Sequence, residues 1–124
     1  MSGKKELGDW GEERAARYLR LRGYRILGRN FRCRQGEIDI IAGKGDFVVF
    51  AEVKLRKNAD FGEAREFVTS AKQRRVICAA EFWLMKTGCE KQPRFDVIEI
   101  YAPKGTDTVF PTIRHLENAF SSYY

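Results

Sequence analysis

Four ionisable side chains interrupt two otherwise apolar runs: Glu37 and Asp39 in GEIDIIA (36–42), and Glu52 and Lys54 in FVVFAEVK (47–54). A buried carboxylate without a partner costs several kcal/mol or takes up a proton, so strand interiors normally exclude it. Something must therefore compensate these charges. Converging carboxylates suit a hard divalent cation, Mg2+ or Mn2+, at roughly 2.0–2.2 Å from each oxygen. A lysine two residues beyond one of them can orient a water or offset charge developing on a phosphate. An acid and a lysine at this spacing also flank each other on plain solvated strand edges, so the motif alone is weak. An acid in register on the paired strand strengthens it.

The two runs are joined by GKGD, whose turn chemistry predicts a hairpin. Side chains alternate along a strand, so Glu52 and Lys54 share a face with Val48 and Phe50, and Glu37 and Asp39 share a face with Ile41. A four-residue GKGD loop puts Ala42 opposite Phe47, Asp39 opposite Phe50 and Glu37 opposite Glu52. The three carboxylates and Lys54 then lie on one face, with Asp39 the diagonal neighbour of Glu52 at about 7–8 Å between backbones. Like charges so placed destabilise a sheet unless a cation sits between them.

The flanking elements must hold this hairpin. Residues 6–22 predict a helix, with Leu7, Gly11, Ala15, Tyr18 and Leu19 on one stripe and Gly23 as its stop. Within it, Glu13 sits on the arginine-rich face, where Arg17 is its i+4 partner, whereas Glu12 groups with the small residues that approach the sheet. Residues 24–31 read as a strand and the polar stretch 55–64 as a connection. A second helix is expected over 70–86, capped by Thr69 or Ser70 and stopped at Gly88. Residues 94–101 read as a strand, 103–111 as a loop with a short edge strand, and 115–122 as a C-terminal helix. The helix between the hairpin and the last strand is a long enough crossover to make that strand parallel. The expected class is α/β, a mixed sheet flanked by helices in the order αβββαβ.

The 124 residues, 44% of them hydrophobic, suit one domain over 1–124 that buries roughly two-thirds of its unfolded surface. FVVFAEV is too short to span a bilayer, and the first twenty residues lack an apolar leader core, so a cytoplasmic protein with no membrane partner is expected. Cys33, Cys78 and Cys89 form no metal or disulfide pattern and read as reduced packing residues. The formal net charge is +6, with Arg14, Arg17, Arg20, Arg22, Arg25, Arg29, Arg32 and Arg34 in succession and further clusters at 54–57 and 72–75. Such a field suits a polyanion, with Arg32, Arg34, Arg56, Lys72 and Arg75 as candidate nucleic-acid contacts, although a solvated basic face has the same composition. Gln73 reads as an ordinary first-turn residue, while Lys72 is placed either to reach the carboxylates or to stay in solvent. Arg94 and Asp96 share a strand face and pair with each other, and the aromatic C-terminus (Phe120, Tyr123, Tyr124) offers a protein contact as an alternative role.

Gly8-x-x-x-Glu12, GEIDII (36–41), FAEVK-x-R (50–56), Lys72 and RFD (94–96) together closely resemble the YraN-like bacterial family. That family is similar to archaeal Holliday-junction resolvases within the restriction-endonuclease-like PD-(D/E)xK superfamily. The resemblance covers about residues 7–101. It implies that Asp39 is the central metal-binding aspartate, Glu52 the second carboxylate, Lys54 the catalytic lysine and Glu12 the helical glutamate. It implies too a restriction-endonuclease-like core, a Mg2+- or Mn2+-dependent endonuclease of structure-selective, resolvase type, DNA ahead of RNA as substrate, and a homodimer to cut two strands. Two positions depart from the superfamily pattern, Ile38 in place of proline and Ala51 in place of a larger apolar residue, and neither is a ligand. The alternative is a catalytically silent nucleic-acid-binding module of the same fold.

Overall fold

The computed structural model describes residues 3–57 and 69–121. The chain runs α1 (Lys4–Leu21), β1 (Arg25–Cys33), β2 (Gly36–Lys44), β3 (Phe47–Arg56), α2 (Ser70–Thr87), β4 (Gln92–Tyr101) and β5 (Thr112–Phe120). The strands form one sheet in the order β1-β2-β3-β4-β5, antiparallel except for the parallel pair β3 and β4. This is the expected αβββαβ core with one strand added.

Each face of the sheet is covered by one helix, and the sequence period explains which residues meet. α1 buries Ala15, Ala16 and Leu19 against Ile40, Ala42, Val49, Ala51, Ile98 and Ile100. α2 buries Val76, Ile77, Ala79 and Ala80 against Ile41, Val48, Phe50, Phe95 and Val97. The alternation of β3 is therefore real: its even positions face α2 and its odd positions face α1. The Thr69 side chain caps α2 by accepting from the Lys72 N–H, and Gly88, at φ 70°, ends it with its own N–H on the Leu84 carbonyl.

Three expectations are corrected. The hairpin turn holds two residues, Gly45 and Asp46, because Lys44 pairs with Phe47 and Gly45 takes φ 57° at no steric cost. Ala42 thus pairs with Val49 instead of Phe47, and Ile41 with Phe50. The slip of two residues leaves Glu52 and Lys54 on their expected face and moves Asp39 toward Glu52, but the alternation of β2 breaks at Asp39, because Ile38 and Ile41 both pack on the α2 side while Ile40 packs on the α1 side. Of the residues expected to form a C-terminal helix, 115–120 instead belong to strand β5, which pairs Ile100 with Ile113 and Val97 with Leu116. The edge of β4 otherwise leaves a buried, apolar strand unpaired, and that tertiary demand outweighs the local helical pattern of LENAF. Phe120 is buried and stacks on Phe95 at 5.2 Å between centroids, so it is a core residue and no surface contact. Leu55 and Arg56 extend β3, and the rest of the expected 55–64 connection beyond Lys57, like Tyr123 and Tyr124, lies outside the described residues.

Candidate functional site

β2 and β3 pair from the turn up to Ile40↔Ala51, and Asp39 stands at the end of that ladder. Its Oδ2 accepts the Val53 N–H at 2.8 Å, so the carboxylate takes the place of a backbone acceptor in the fork between the strands. Asn30, beside it on β1, adopts φ 50°, which asparagine tolerates better than most residues, and interrupts the regular alternation there. A carboxylate in the fork is felt from both faces of the sheet: by Glu12 from α1, and by Glu52 and Lys72 from the α2 side.

The approach of Glu12 has a steric basis. A Cβ at Gly11 would stand 2.9 Å from the Leu55 methyls, so glycine lets the first half of α1 lie close on the end of β3. Glu12 Oε1 is buried and has no hydrogen-bond partner among the described residues. Burial and the neighbouring Asp39 raise the proton affinity of Glu12. Glu13 turns away, as helical period requires, and pairs with Arg29 at 2.7 Å.

On the α2 side, Glu52 is almost fully buried, and Lys72 Nζ lies 3.1 Å from its Oε2. Burial and then the charge of Asp39 push Glu52 up to about 7, despite the opposing lysines. Burial likewise raises Asp39 above the ordinary carboxylate range, against the Val53 hydrogen bond and the attraction of Lys72. Lys54, two residues along the same face, is lowered by burial and by the ammonium of Lys72. Burial opposes charge on Lys72 as well, but its contacts with Glu52 leave its affinity for a proton raised. Acids that resist losing protons beside a lysine that resists keeping one make this cluster the candidate site of the chain.

Glu37 does not join the cluster. It is exposed and pairs with Arg32, 3.2 Å away on β1, and the expected face shared with Asp39 and Ile41 is lost, since Gly36 and Ile38 on either side of it are the residues that meet α2. Glu37 and Arg32 line a groove of about 430 Å³ with Cys33, Gly36, Lys72 and Arg75. Gly36 is required there, since a Cβ would fall 2.8 Å from the Arg75 carbonyl oxygen of α2. Arg34 is exposed beside this groove at the β1–β2 turn. Arg56 differs from the other candidate phosphate contacts: its side chain is only 12% exposed, and its Nε donates to Glu99 Oε2 at 2.7 Å. Tyr101 donates its hydroxyl to the other oxygen of Glu99. Glu99, fully buried and paired with Lys54 across β3 and β4, was missed from the sequence although DVIEIY places it in phase with Tyr101.

No group of three or more His, Cys, Asp or Glu side chains among the described residues is gathered tightly enough to cage a metal. Mg2+ needs no such cage, because it retains several waters and is commonly held by one or two carboxylates. Asp39 and Glu52, with the orphaned oxygen of Glu12 nearby, fit that mode of binding. No helix among the described residues is long and apolar enough to cross a membrane.

A family model described as "Uncharacterised protein family UPF0102" matches residues 11–100, a span that contains Glu12, Asp39, Glu52, Lys54 and Lys72. The chain belongs to the UPF0102 family. This is the YraN-like family that its motifs resemble. A UPF0102 protein of Caldicellulosiruptor saccharolyticus is 42% identical over 94% of this chain and 98% of its own length. Another, from Geobacter sulfurreducens, is 46% identical over 97% of this chain and 92% of its own, and one from Rhodococcus jostii is 44% identical over 92% and 95%. The UPF0102 likeness thus extends across both helices and the whole sheet.

Proposed function

We propose that this UPF0102 protein is a Mg2+- or Mn2+-dependent nuclease that hydrolyses phosphodiester bonds, acting on structured DNA ahead of RNA. The observation that carries the reading is the convergence of Asp39 and Glu52, both raised by burial, with the lowered Lys54 beside them. Asp39 and Glu52 are the groups that would hold the ion, with Glu12 oriented toward them from α1. A divalent ion supplies polarisation of a phosphoryl oxygen and acidification of a water. Lys54 orients the attacking water and offsets charge developing on the phosphate. Arg32, Arg34 and Arg75 hold flanking phosphates along the groove, a role that positions the strand without reading bases. Arg56, pinned by Glu99, stiffens the end of β3 next to Lys54. A homodimer would set two such sites for paired cuts.

The competing reading is a silent nucleic-acid-binding module, favoured by the absence of a closed acidic cage among the described residues and by a lysine already seated on Glu52. Cleavage of labelled single-stranded, duplex, flap and four-way substrates with Mn2+ separates the two. Wild type should cleave at least one of them, and Asp39→Ala and Lys54→Ala should lose at least about a hundredfold in rate with binding retained. Salt-sensitive binding by all three proteins with cleavage by none would leave the binding module.

A further inference from the structure

Lys72 is held at the carboxylates by the geometry of α2. It lies in the first turn, where Thr69 accepts its backbone N–H at 3.2 Å, and from there its Nζ reaches Glu52 Oε2 at 3.1 Å. The two partners differ in freedom. The Glu52 side chain is 3% exposed and that of Lys72 34%, so the carboxylate is walled in while the ammonium keeps an open side toward the groove of Arg32, Glu37 and Arg75. An oxygen accepting from an ammonium at this distance is not free to coordinate a divalent cation along the same direction, and the two cations repel each other at close range. Lys54 adds to that crowding, because it too contacts Lys72.

We propose that Lys72 is a resident counter-ion of Glu52 that a divalent metal ion must displace in order to bind. The inference rests on the reading of Asp39 and Glu52 as the metal-holding pair. Lys72 balances the acids until the ion arrives, and then swings into the adjoining groove that its side chain already lines. Metal affinity is therefore set by an exchange of cations on Glu52 and is weaker than the two carboxylates alone would give.

The test is Mn2+ affinity of the full chain, measured from the free-ion electron paramagnetic resonance signal, for wild type, Lys72→Met, Lys72→Arg and Lys54→Met. Lys54→Met measures the general effect of deleting a nearby positive charge. Lys72→Met should bind Mn2+ roughly tenfold more tightly than wild type, and by a clear margin over Lys54→Met. Lys72→Arg should bind more weakly than wild type, since a guanidinium fork grips a carboxylate better than an ammonium does. If Lys72→Met gains no more than Lys54→Met, and Lys72→Arg matches wild type, the exchange is refuted while the metal site stands. If no protein binds Mn2+, with folding verified by circular dichroism, both the exchange and the metal reading fall. Lys72→Gln replaces Lys72→Met should the latter fail to fold.

Discussion

Two buried acids of this chain, Glu52 and Asp96, meet opposite fates on opposite faces of one sheet. Asp96, on β4 facing α1, is wholly buried yet fully provided for: Arg94 Nη2 at 2.8 Å, His115 Nε2 at 2.7 Å and the Asn118 N–H at 2.9 Å all approach its oxygens. Tyr24 accepts from Arg94 at 2.6 Å, and the Tyr18 hydroxyl lies 3.2 Å from His115 Nδ1, which closes the network against α1. Burial pushes Asp96 up, but these partners outweigh it and hold its carboxyl below the ordinary range. Glu52, on the α2 face, has Lys72 at 3.1 Å and a second acid beside it, and burial wins. The difference teaches that burial alone does not mark a functional acid. What singles out Glu52 as a candidate is burial for which the protein provides fewer compensating partners than the charge requires.

The comparison breaks most visibly under neutralisation. Asp96→Asn should cost about 3–5 kcal/mol in chemical denaturation, because it strands Arg94 and His115 around a neutral amide. Asp39→Asn should leave stability unchanged or slightly higher, since it removes one of two repelling charges and keeps an oxygen for the Val53 N–H. Equal destabilisation by both would erase the distinction.

The pH dependence should also differ in sign. Glu52 is raised from 4.5 to about 7, so the folded state binds the extra proton between those values. Its stability contribution is present below about pH 4.5 and is lost as pH rises through 7, with an upper bound of roughly 3–4 kcal/mol at about 1.4 kcal/mol per tenfold change in proton affinity. Asp96 runs the other way: its contribution is present above its unfolded value of 3.8 and is lost as pH falls toward the lower folded value. Thermal melts across pH 3–8 of wild type against Glu52→Gln and Asp96→Asn resolve the two. With Mn2+ present, the loss on the neutral side should shrink, because the ion replaces the proton between the acids.

A smaller effect is expected at the groove. Gly36→Ala brings a Cβ to 2.8 Å from a backbone oxygen of α2, which cannot yield as a side chain would. It should cost about 1–3 kcal/mol and weaken nucleic-acid binding, with no matching loss for Gly8→Ala, where the added methyl meets nothing within 4 Å.

Much of this was legible in the chain. The alternation of FVVFAEVK put Glu52 and Lys54 on one face without any structure, because a strand repeats every two residues whatever surrounds it. Helical period likewise separated Glu12 from Glu13, and the caps at Thr69 and Gly88 bounded α2. The turn was misjudged by two residues because GKGD contains two glycines and therefore more than one acceptable bend. Because the slip was even, Glu52 and Lys54 kept their face, whereas the break in alternation at Asp39 took Glu37 out of the cluster. Strand β5 was hidden because its pattern of half-buried residues acquires meaning only beside the open edge of β4.

The sequence by itself thus determined both long helices, the central hairpin and β4, and marked Glu37, Asp39, Glu52 and Lys54 as an improbable set of charges, since these follow from local period and the cost of burying charge; Glu12 joined them through the family motif. Only the tertiary structure decided which acids would be compensated. It placed Asp39 in the fork at the Val53 N–H, brought Lys72 to Glu52, left Glu37 with Arg32, and gave Asp96 to Arg94 and His115. Those outcomes depend on residues far apart in the chain, and a carboxylate's charge state is set by the neighbours that folding delivers.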